Sequence, residues 1–178
     1  MSTAASLRAS DVAIVVMGVS GCGKSSVGAS LATSLDLPFQ EGDTLHPPVN
    51  VAKMAAGIPI DDTDRWPWLD AVAQTLAADG IVSCSALKRC YRDRLRHGAR
   101  RPLAFVFLQG SEALLAERMG ARSGHFMPPS LLASQLATLE DPSGEPGTIT
   151  VDIDKSLGAI VAEAVAGLRA LNQKEFPR

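Results

Sequence analysis

Short apolar runs alternate with longer stretches of helical periodicity along the chain. The apolar runs contain few polar residues, as is typical of strands buried on both faces of a parallel sheet. Between them, apolar residues recur three or four positions apart, which indicates helices with one buried face. The alternation predicts a three-layer α/β/α fold with helices on both faces of a parallel sheet. The five predicted strands lie at residues 13–17, 37–43, 81–85, 103–108 and 148–151.

The predicted helices occupy the intervals between these strands. After the first strand, Val27, Leu31 and Leu35 lie four residues apart. Asp64 is the predicted N-cap of a later helix that Gly80 ends. No linker or internal repeat divides residues 1–178, so we expect one domain built on a five-stranded sheet. The other predicted helices lie at residues 51–54, 87–96, 112–119, 131–139 and 157–168.

Composition and charge are those of an ordinary globular domain. Hydrophobic residues make up 46% and charged residues 20%, and the formal net charge is −2. There is no basic stripe, so nucleic acid is not an expected partner. No apolar run approaches the length of a membrane span, and residues 1–10 lack a signal-peptide core, so we expect no membrane partner. Three irregularly spaced cysteines argue against a disulfide framework and for a reducing compartment.

The most specific chemical signal lies between the first strand and the first helix. The sequence GVSGCGKS at residues 18–25 matches the phosphate-binding P-loop, G-x-x-x-x-G-K-[ST], in the strand–loop–helix context that this motif requires. We expect its backbone N–H groups to cradle a nucleotide, with Lys24 on the β- and γ-phosphates and the Ser25 hydroxyl on Mg²⁺. The alternative is a glycine-rich turn without a ligand. The expected nucleotide-binding residues of the loop are Gly18, Val19, Ser20, Gly21, Cys22, Gly23, Lys24, Ser25 and Ser26.

P-loop proteins include switch GTPases, motor ATPases and small-molecule kinases, and the rest of the chain favours the last class. The guanine-specifying string N-K-x-D is absent, and 178 residues are too few for the large ATPases. Two polar, Pro- and Gly-containing segments are inserted between the periodic elements. We interpret residues 44–66 as a segment that covers the acceptor substrate and residues 118–130 as a lid that excludes water.

A kinase site also needs a carboxylate and cations beside the phosphates. Asp43 follows the second strand and is the predicted catalytic base, or a ligand of Mg²⁺ through water. The alternative is that Asp43 only caps a turn after Gly42. Arg118 and Arg122 bracket the start of the predicted lid, where they could clamp the triphosphate, with Arg122 counted as catalytic. Alternatively, Arg118 stacks on the adenine, or both are solvated helix-end arginines.

Cys22 is a further candidate for chemistry, because it lies in the loop close to a helix N-terminus. A thiolate is favoured in such a position, which would make the residue sensitive to oxidation. The same sequence position is compatible with a buried thiol that only packs. Oxidation sensitivity of Cys22 is therefore a hypothesis, which depends on whether the thiol is exposed or buried.

Several strings taken in order resemble the gluconate kinase family, a branch of the small P-loop kinases. Each string is modest alone, but the ordered set runs from Met17 to Asp154 and covers nearly the whole chain. The strings are MGVSG at 17–21, GD with LHP at 42–47, N with KM at 50–54, GIP at 57–59, DTDRWPWL at 62–69, CSALK at 84–88, YRD at 91–93, GHFMPP at 124–129, SQ with TLE at 134–140, and VD at 151–152.

The resemblance implies an adenylate-kinase-like P-loop fold and ATP-dependent phosphorylation of D-gluconate at its 6-hydroxyl. It also implies dependence on Mg²⁺ and a cytoplasmic, homodimeric enzyme. Gluconate has one carboxylate and several hydroxyls, so its site needs cations and mixed hydrogen-bonding groups. Lys88, Arg92 and Arg96 lie four residues apart on a predicted helix face and could supply those cations. Together with Asp43, the expected acceptor-binding residues are His46, Lys88, Arg92, Arg96 and His125.

Two other functions stay open at this point. The chain could be another small P-loop kinase that acts on shikimate or a nucleotide. It could also be a nucleotide-binding module without catalysis, although the presence of Asp43 and of the cations near the predicted lid disfavours that alternative.

Overall fold

One parallel sheet forms the centre of the structure, in the strand order β2-β3-β1-β4-β5. The computed structural model describes residues 11–78, 80–121, 129–171 and 175–176. The strands are β1 (Ala13–Met17), β2 (Phe39–Glu41), β3 (Ile81–Ser83), β4 (Leu103–Gln109) and β5 (Thr148–Asp152). The helices are α1 (Lys24–Leu35), α2 (Pro48–Ala55), α3 (Asp62–Leu76), α4 (Arg89–Ala99), α5 (Glu112–Gly120), α6 (Pro129–Thr138) and α7 (Leu157–Ala170). The predicted five-stranded parallel sheet is confirmed.

The strand order brings the predicted functional loops to one edge. β1 is the middle strand, and Val15 pairs in register with Val82 of β3 and Phe105 of β4. β2 adds to the far side of β3, with Phe39 opposite Ile81. Because all strands run the same way, the loops that follow β1, β2 and β3 leave the sheet as neighbours.

Two hydrophobic layers hold helices against the two faces of the sheet. On one face, Ile14 of β1 belongs to the same buried cluster as Leu31 of α1 and Ile160 of α7. On the other face, Val15 of β1 clusters with residues of α3 and α4, Leu69 and Leu95 among them. The three-layer prediction is therefore confirmed. None of the helices in the described ranges has the length and apolar character needed to cross a bilayer.

Several element boundaries differ from the predicted ones, with local physical reasons. The N-cap of α3 is Asp61 and not Asp64, because the Asp61 side chain accepts the Asp64 N–H at 2.8 Å while the Asp64 carboxylate accepts the Asp61 N–H at 3.1 Å. α3 ends at Leu76, ahead of Gly80. β3 ends at Ser83, so residues 84–88 form a loop instead of the end of a strand and the start of a helix.

Candidate active site

The loop between β1 and α1 has the backbone shape that a phosphate-binding loop requires. Gly18, Gly21 and Gly23 have φ values of 146°, 84° and 95°, a region that other residues rarely adopt. The loop is also closely packed, since a Cβ at Gly21 would lie 2.8 Å from Cγ of Met119 on α5. Glycine is therefore required at position 21 by space as well as by conformation.

The start of α1 is arranged to accept an anion. Gly23 is the N-cap and has no side chain to satisfy the first N–H groups of the helix, which are left for a ligand. Lys24 extends along the same loop, and its Nζ donates to the carbonyl oxygens of residues 18 and 19 at 3.0 and 3.1 Å. Ser25 and Ser26 are exposed in the first turn of α1. Uncapped backbone N–H groups and one ammonium group therefore lie in the same loop.

The structure corrects the hypothesis that Cys22 is an oxidation-sensitive thiolate. Its side chain is buried, 1% exposed, and packs beneath the loop against Gly18. Burial raises the pKa of the Cys22 thiol, and the nearby charge of Lys24 opposes that rise without reversing it. A buried, protonated thiol is a poor nucleophile, so Cys22 acts as a packing residue. Among the three cysteines, Cys90 is the exposed one.

Asp43 lies in a short 3₁₀ turn (Gly42–Leu45) directly after β2, with its side chain exposed. The turn packs tightly on β3, because a Cβ at Gly42 would collide with the carbonyl oxygen of Ser83. Trp68 of α3 donates from its indole Nε1 to the Gly42 carbonyl oxygen at 2.8 Å. The backbone of the turn that carries Asp43 is thus held from both sides.

His46 stacks on Trp68, with 4.2 Å between ring centroids and 13° between ring planes. Burial lowers the pKa of His46, and the charge of Asp43 only partly offsets this effect. His46 is therefore neutral at pH 7 and can offer a hydrogen bond to a ligand but no positive charge.

Lys88 belongs to a polar cluster that sequence reasoning identified only in part. Its Nζ donates to both carboxylate oxygens of Asp62 at 2.9 and 3.1 Å. Tyr91 donates its hydroxyl to the same carboxylate, and Arg65 lies 3.5 Å from it. These hydrogen bonds, that of Tyr91 first and that of Lys88 next, hold the pKa of Asp62 below its usual range. The cluster joins Asp62 and Arg65 of α3 to Lys88 and Tyr91, which follow β3, and it is partly open to solvent.

A second ion pair ties the segment after the Asp43 turn to α3. Lys53 of α2 donates to both carboxylate oxygens of Asp64 at 2.7 and 2.8 Å. Asn50 donates from Nδ2 to the Asp64 carbonyl oxygen at 2.8 Å. α2 is therefore fastened to the first turn of α3, next to the Asp62 cluster.

Arg92 and Arg96 are corrections to the predicted acceptor site. The Arg92 guanidinium is fully buried, and its five N–H groups are taken by Glu145 and by carbonyl oxygens of residues 86, 87 and 140. Arg96 bonds Glu145 and Asp93 and lies over the ring of Phe105. The predicted cationic helix face does not form. Lys88 is the N-cap of α4, whereas Arg92 and Arg96 lie on the side of the helix that packs against the protein interior.

Glutamine at position 145 is expected to lower the free energy of unfolding by about 2 kcal/mol at pH 7, because the charged hydrogen bonds with Arg92 are weakened. Burial alone would raise the pKa of Glu145, but hydrogen bonds from Arg92 and Arg96 hold it below its usual range. Its stabilising contribution is present above the unfolded pKa and is lost as the pH falls through the folded pKa. The difference in free energy of unfolding between the wild type and Glu145→Gln should therefore shrink below about pH 4.

Urea unfolding at several pH values measures this difference. The matched control is Glu163→Gln, which removes a carboxylate from an exposed pair with Lys155 and should change stability by less than about 0.5 kcal/mol. Equal effects of the two substitutions would contradict the structural role of Glu145.

Arg118 lies over the phosphate-binding loop. Its NH2 donates to the carbonyl oxygen of Ile153 after β5 at 2.7 Å, and its NH1 lies 4.0 Å from where a Cβ of Gly23 would be. Arg118 therefore connects the end of α5, the end of β5 and the loop. The other two predicted residues of this region, Arg122 and His125, lie outside the described residues.

Comparison with curated proteins finds relatives over most of the chain, although no family model matches it. The chain is 48% identical over 163 residues to the gluconokinase of Gluconobacter oxydans (strain 621H), a match that covers 88% of this chain and 91% of the relative. It is 42% identical over 158 residues to the thermoresistant gluconokinase of Escherichia coli (strain K12), covering 85% and 90%.

Solved structures give the same result in three dimensions. A gluconokinase from Sinorhizobium meliloti 1021 superposes with a TM-score of 0.85 at 59% identity, covering 93% of this chain and 95% of the other. The APS kinase CysC of Mycobacterium tuberculosis, solved with AMPPNP and APS, superposes with a TM-score of 0.62 at 21% identity, over 89% of this chain and 97% of the other. The second match shows that the two proteins share a fold.

Proposed function

The chain belongs to the gluconokinase family, and on this premise we propose that it transfers the γ-phosphoryl group of ATP to the 6-hydroxyl of D-gluconate. The product is 6-phospho-D-gluconate. The observation that supports the proposal best is the placement of three groups after three neighbouring strands. The phosphate-binding loop follows β1, Asp43 follows β2, and Lys88, which contacts Asp62 of α3, follows β3. This arrangement supports a site in which the nucleotide loop, the proposed base and a proposed acceptor-binding cation share one edge of the sheet.

In this proposal, the loop holds the triphosphate while Asp43 handles the acceptor. The N–H groups at the start of α1 and the ammonium group of Lys24 face the phosphates and neutralise charge that develops during transfer. The Asp43 carboxylate accepts the proton of the 6-hydroxyl as that oxygen attacks the γ-phosphorus in line with the leaving β,γ-bridging oxygen. ADP leaves with the bond electrons. Arg118 supplies a further positive charge from the side of α5.

The residues at this edge suit Mg²⁺, the metal expected from the sequence. Mg²⁺ prefers oxygen ligands and usually keeps waters and nucleotide phosphates in its shell, so it needs few protein ligands. The Ser25 hydroxyl, exposed in the first turn of α1, and the exposed Asp43 carboxylate are oxygen donors of this kind. Within the described ranges there is no His, Cys, Asp and Glu cluster that would form a separate metal cage. When bound, the ion would neutralise phosphate charge, with Ser25 as a direct ligand and Asp43 acting through water.

The acceptor carboxylate is proposed to bind the cations that now surround Asp62. Lys88 and Arg65 both contact Asp62 and are about one-third exposed, so a ligand can reach them. Two cations and one carboxylate leave one net positive charge, which matches a monoacid. His46, a neutral imidazole stacked on Trp68, is suited to a hydroxyl of the sugar acid.

Methionine in place of Lys88 is expected to raise the KM for gluconate by about 10- to 30-fold while the KM for ATP changes little. The substitution keeps the apolar stem and removes the charge that we assign to the acceptor carboxylate. Arg89→Met is the matched control, because Arg89 is the next residue along and its side chain is 69% exposed. Steady-state kinetics with each substrate varied in turn measure both constants. An equal rise of both KM values would contradict an acceptor-specific role.

An acceptor panel tests the proposed function itself. Gluconate, shikimate and nucleoside monophosphates are offered separately with Mg²⁺ and ATP, and ADP formation is followed. We expect turnover with gluconate, and NMR of the product should place the phosphate on C6. Turnover with another acceptor and none with gluconate would overturn the assignment. Binding of ATP without turnover of any acceptor would favour a nucleotide-binding module.

The remaining expectations from the sequence are retained as proposals. Residues 44–66 are proposed to cover the acceptor, which the Lys53–Asp64 pair supports by fastening this segment to α3. Residues 118–130 are proposed as a lid, of which residues 122–128 lie outside the described ones. A homodimer is proposed and can be tested by light scattering. A cytoplasmic location is proposed on the basis of three free cysteines and the use of ATP.

A further inference from the structure

The side chain of Gln135 joins α6 to the tip of the phosphate-binding loop. Its Oε1 accepts the backbone N–H of Ser20 at 2.7 Å, and its Nε2 donates to the Ser20 hydroxyl at 3.0 Å. One amide therefore binds both the main chain and the side chain of a residue 115 positions away. Two hydrogen bonds to one residue fix its orientation as well as its position.

This contact changes the role expected for Ser20. Its N–H group is directed to Gln135 and is not free for a phosphate in this arrangement. On another side of the loop tip, Gly21 packs against Leu115 and Met119 of α5. The tip is therefore held between α5 and α6, outside the N–H groups that face the nucleotide.

The chain just beyond α6, a few residues after Gln135, is anchored to the loop that presents Lys88. Just beyond the helix, the Glu140 N–H donates to the Leu87 carbonyl oxygen at 2.9 Å, and the Glu140 carboxylate accepts the Arg89 N–H at 2.6 Å. Arg92 donates to the Glu140 carbonyl oxygen at 3.0 Å. The last turn of α6 and the residues after it thus contact both the phosphate-binding loop and the loop after β3.

From these contacts we propose that Gln135 is a positioning residue for the nucleotide. A loop with three positive-φ glycines has much conformational freedom to lose when it closes around phosphates. The amide of Gln135 holds Ser20 in place before the ligand arrives, so less of that freedom is lost on binding. Gln135 touches no reacting atom. The inference rests on the proposed function only in that the loop binds a nucleotide, and it does not depend on which acceptor is phosphorylated.

Leucine in place of Gln135 removes both hydrogen bonds at similar volume and is expected to raise the Kd for Mg·ADP about tenfold. Ser20→Ala keeps the hydrogen bond from the Ser20 backbone N–H to Gln135 and should raise the Kd for Mg·ADP about threefold. The double variant should match Gln135→Leu alone, because the lost Ser20 hydroxyl no longer has its partner. Isothermal titration calorimetry with ADP and Mg²⁺ measures all three, and kinetics should show the KM for gluconate within about twofold of wild type.

Two further variants keep the test decisive. Ser134→Ala, at an exposed position on the same helix, is the control and should leave ADP affinity unchanged. Gln135→Asn keeps the amide but shortens its reach by one methylene, and it replaces Gln135→Leu if that protein does not fold. The proposal is overturned by unchanged ADP affinity, by additive effects of the two substitutions, or by a lower Tm with unchanged ADP affinity. Wild-type protein that binds ADP but does not phosphorylate gluconate would instead contradict the proposed function.

Discussion

Methionine in place of Lys24 is expected to lower kcat by at least about 10³-fold. The Nζ of Lys24 lies 3.0 and 3.1 Å from two carbonyl oxygens of the loop, so its charge sits at the rim of the phosphate cradle. Methionine preserves the length and apolar stem of the side chain but cannot neutralise charge on the transferring phosphoryl group. Steady-state assays of ADP formation with saturating gluconate measure the loss.

The matched control replaces a cation by methionine far from the site. Arg169 is exposed near the end of α7, which starts just after β5 and runs back across the sheet away from the carboxyl edge. Arg169→Met should leave kcat within about twofold, because surface substitutions away from special features have small effects. Turnover near the wild-type rate in Lys24→Met would remove the loop from the proposed mechanism.

Asparagine in place of Asp43 is expected to lower kcat by about 10²- to 10⁴-fold, the range for loss of a general base. The amide is nearly isosteric but cannot accept the hydroxyl proton in the transition state. The 3₁₀ turn should keep its shape, because it is held by the bond from Trp68 to Gly42 and by close packing on Ser83. Calorimetry with ADP should therefore show an affinity close to that of the wild type.

Asp36→Asn provides the control for this substitution. Asp36 is the exposed C-cap of α1 with φ 54°, a conformation that asparagine tolerates well. It makes the same chemical change outside the site and should leave kcat unaffected. An Asp43→Asn protein that turns over normally would show that another group takes the proton, or that the hydroxyl attacks without a base.

The features that the sequence predicted well are local ones. The strand at residues 13–17, the loop at 18–25 and the helix after it depend on neighbouring residues, so their pattern is readable without the fold. The placement of Asp43 and Lys88 at one edge follows from a general property of parallel sheets. The α3 N-cap was missed by three residues because Asp61 and Asp64 form a reciprocal pair, and either acid suits the signal.

The Asp62 cluster, which we propose binds the acceptor, could not be predicted in full because its members come from distant parts of the chain. Tyr91 and Lys88 are more than 25 positions from Asp62 in sequence, and no local pattern in either segment predicts that they are in contact. The four-residue spacing of Arg92 and Arg96 indicates a common helix face, but it does not say whether that face meets solvent. That face meets the protein interior, because Glu145, some 50 residues further on, pairs with both arginines.

The stacking of His46 on Trp68 also gives the protein an intrinsic optical probe. The chain has two tryptophans, Trp66 and Trp68, and both lie on α3, where Trp68 donates to the turn that carries Asp43. Trp66 packs edge-on against Tyr91, whose hydroxyl bonds Asp62. We therefore expect the ultraviolet-excited emission of the unlabelled protein to report on the proposed acceptor side, so that gluconate could be titrated by fluorescence without a reporter dye.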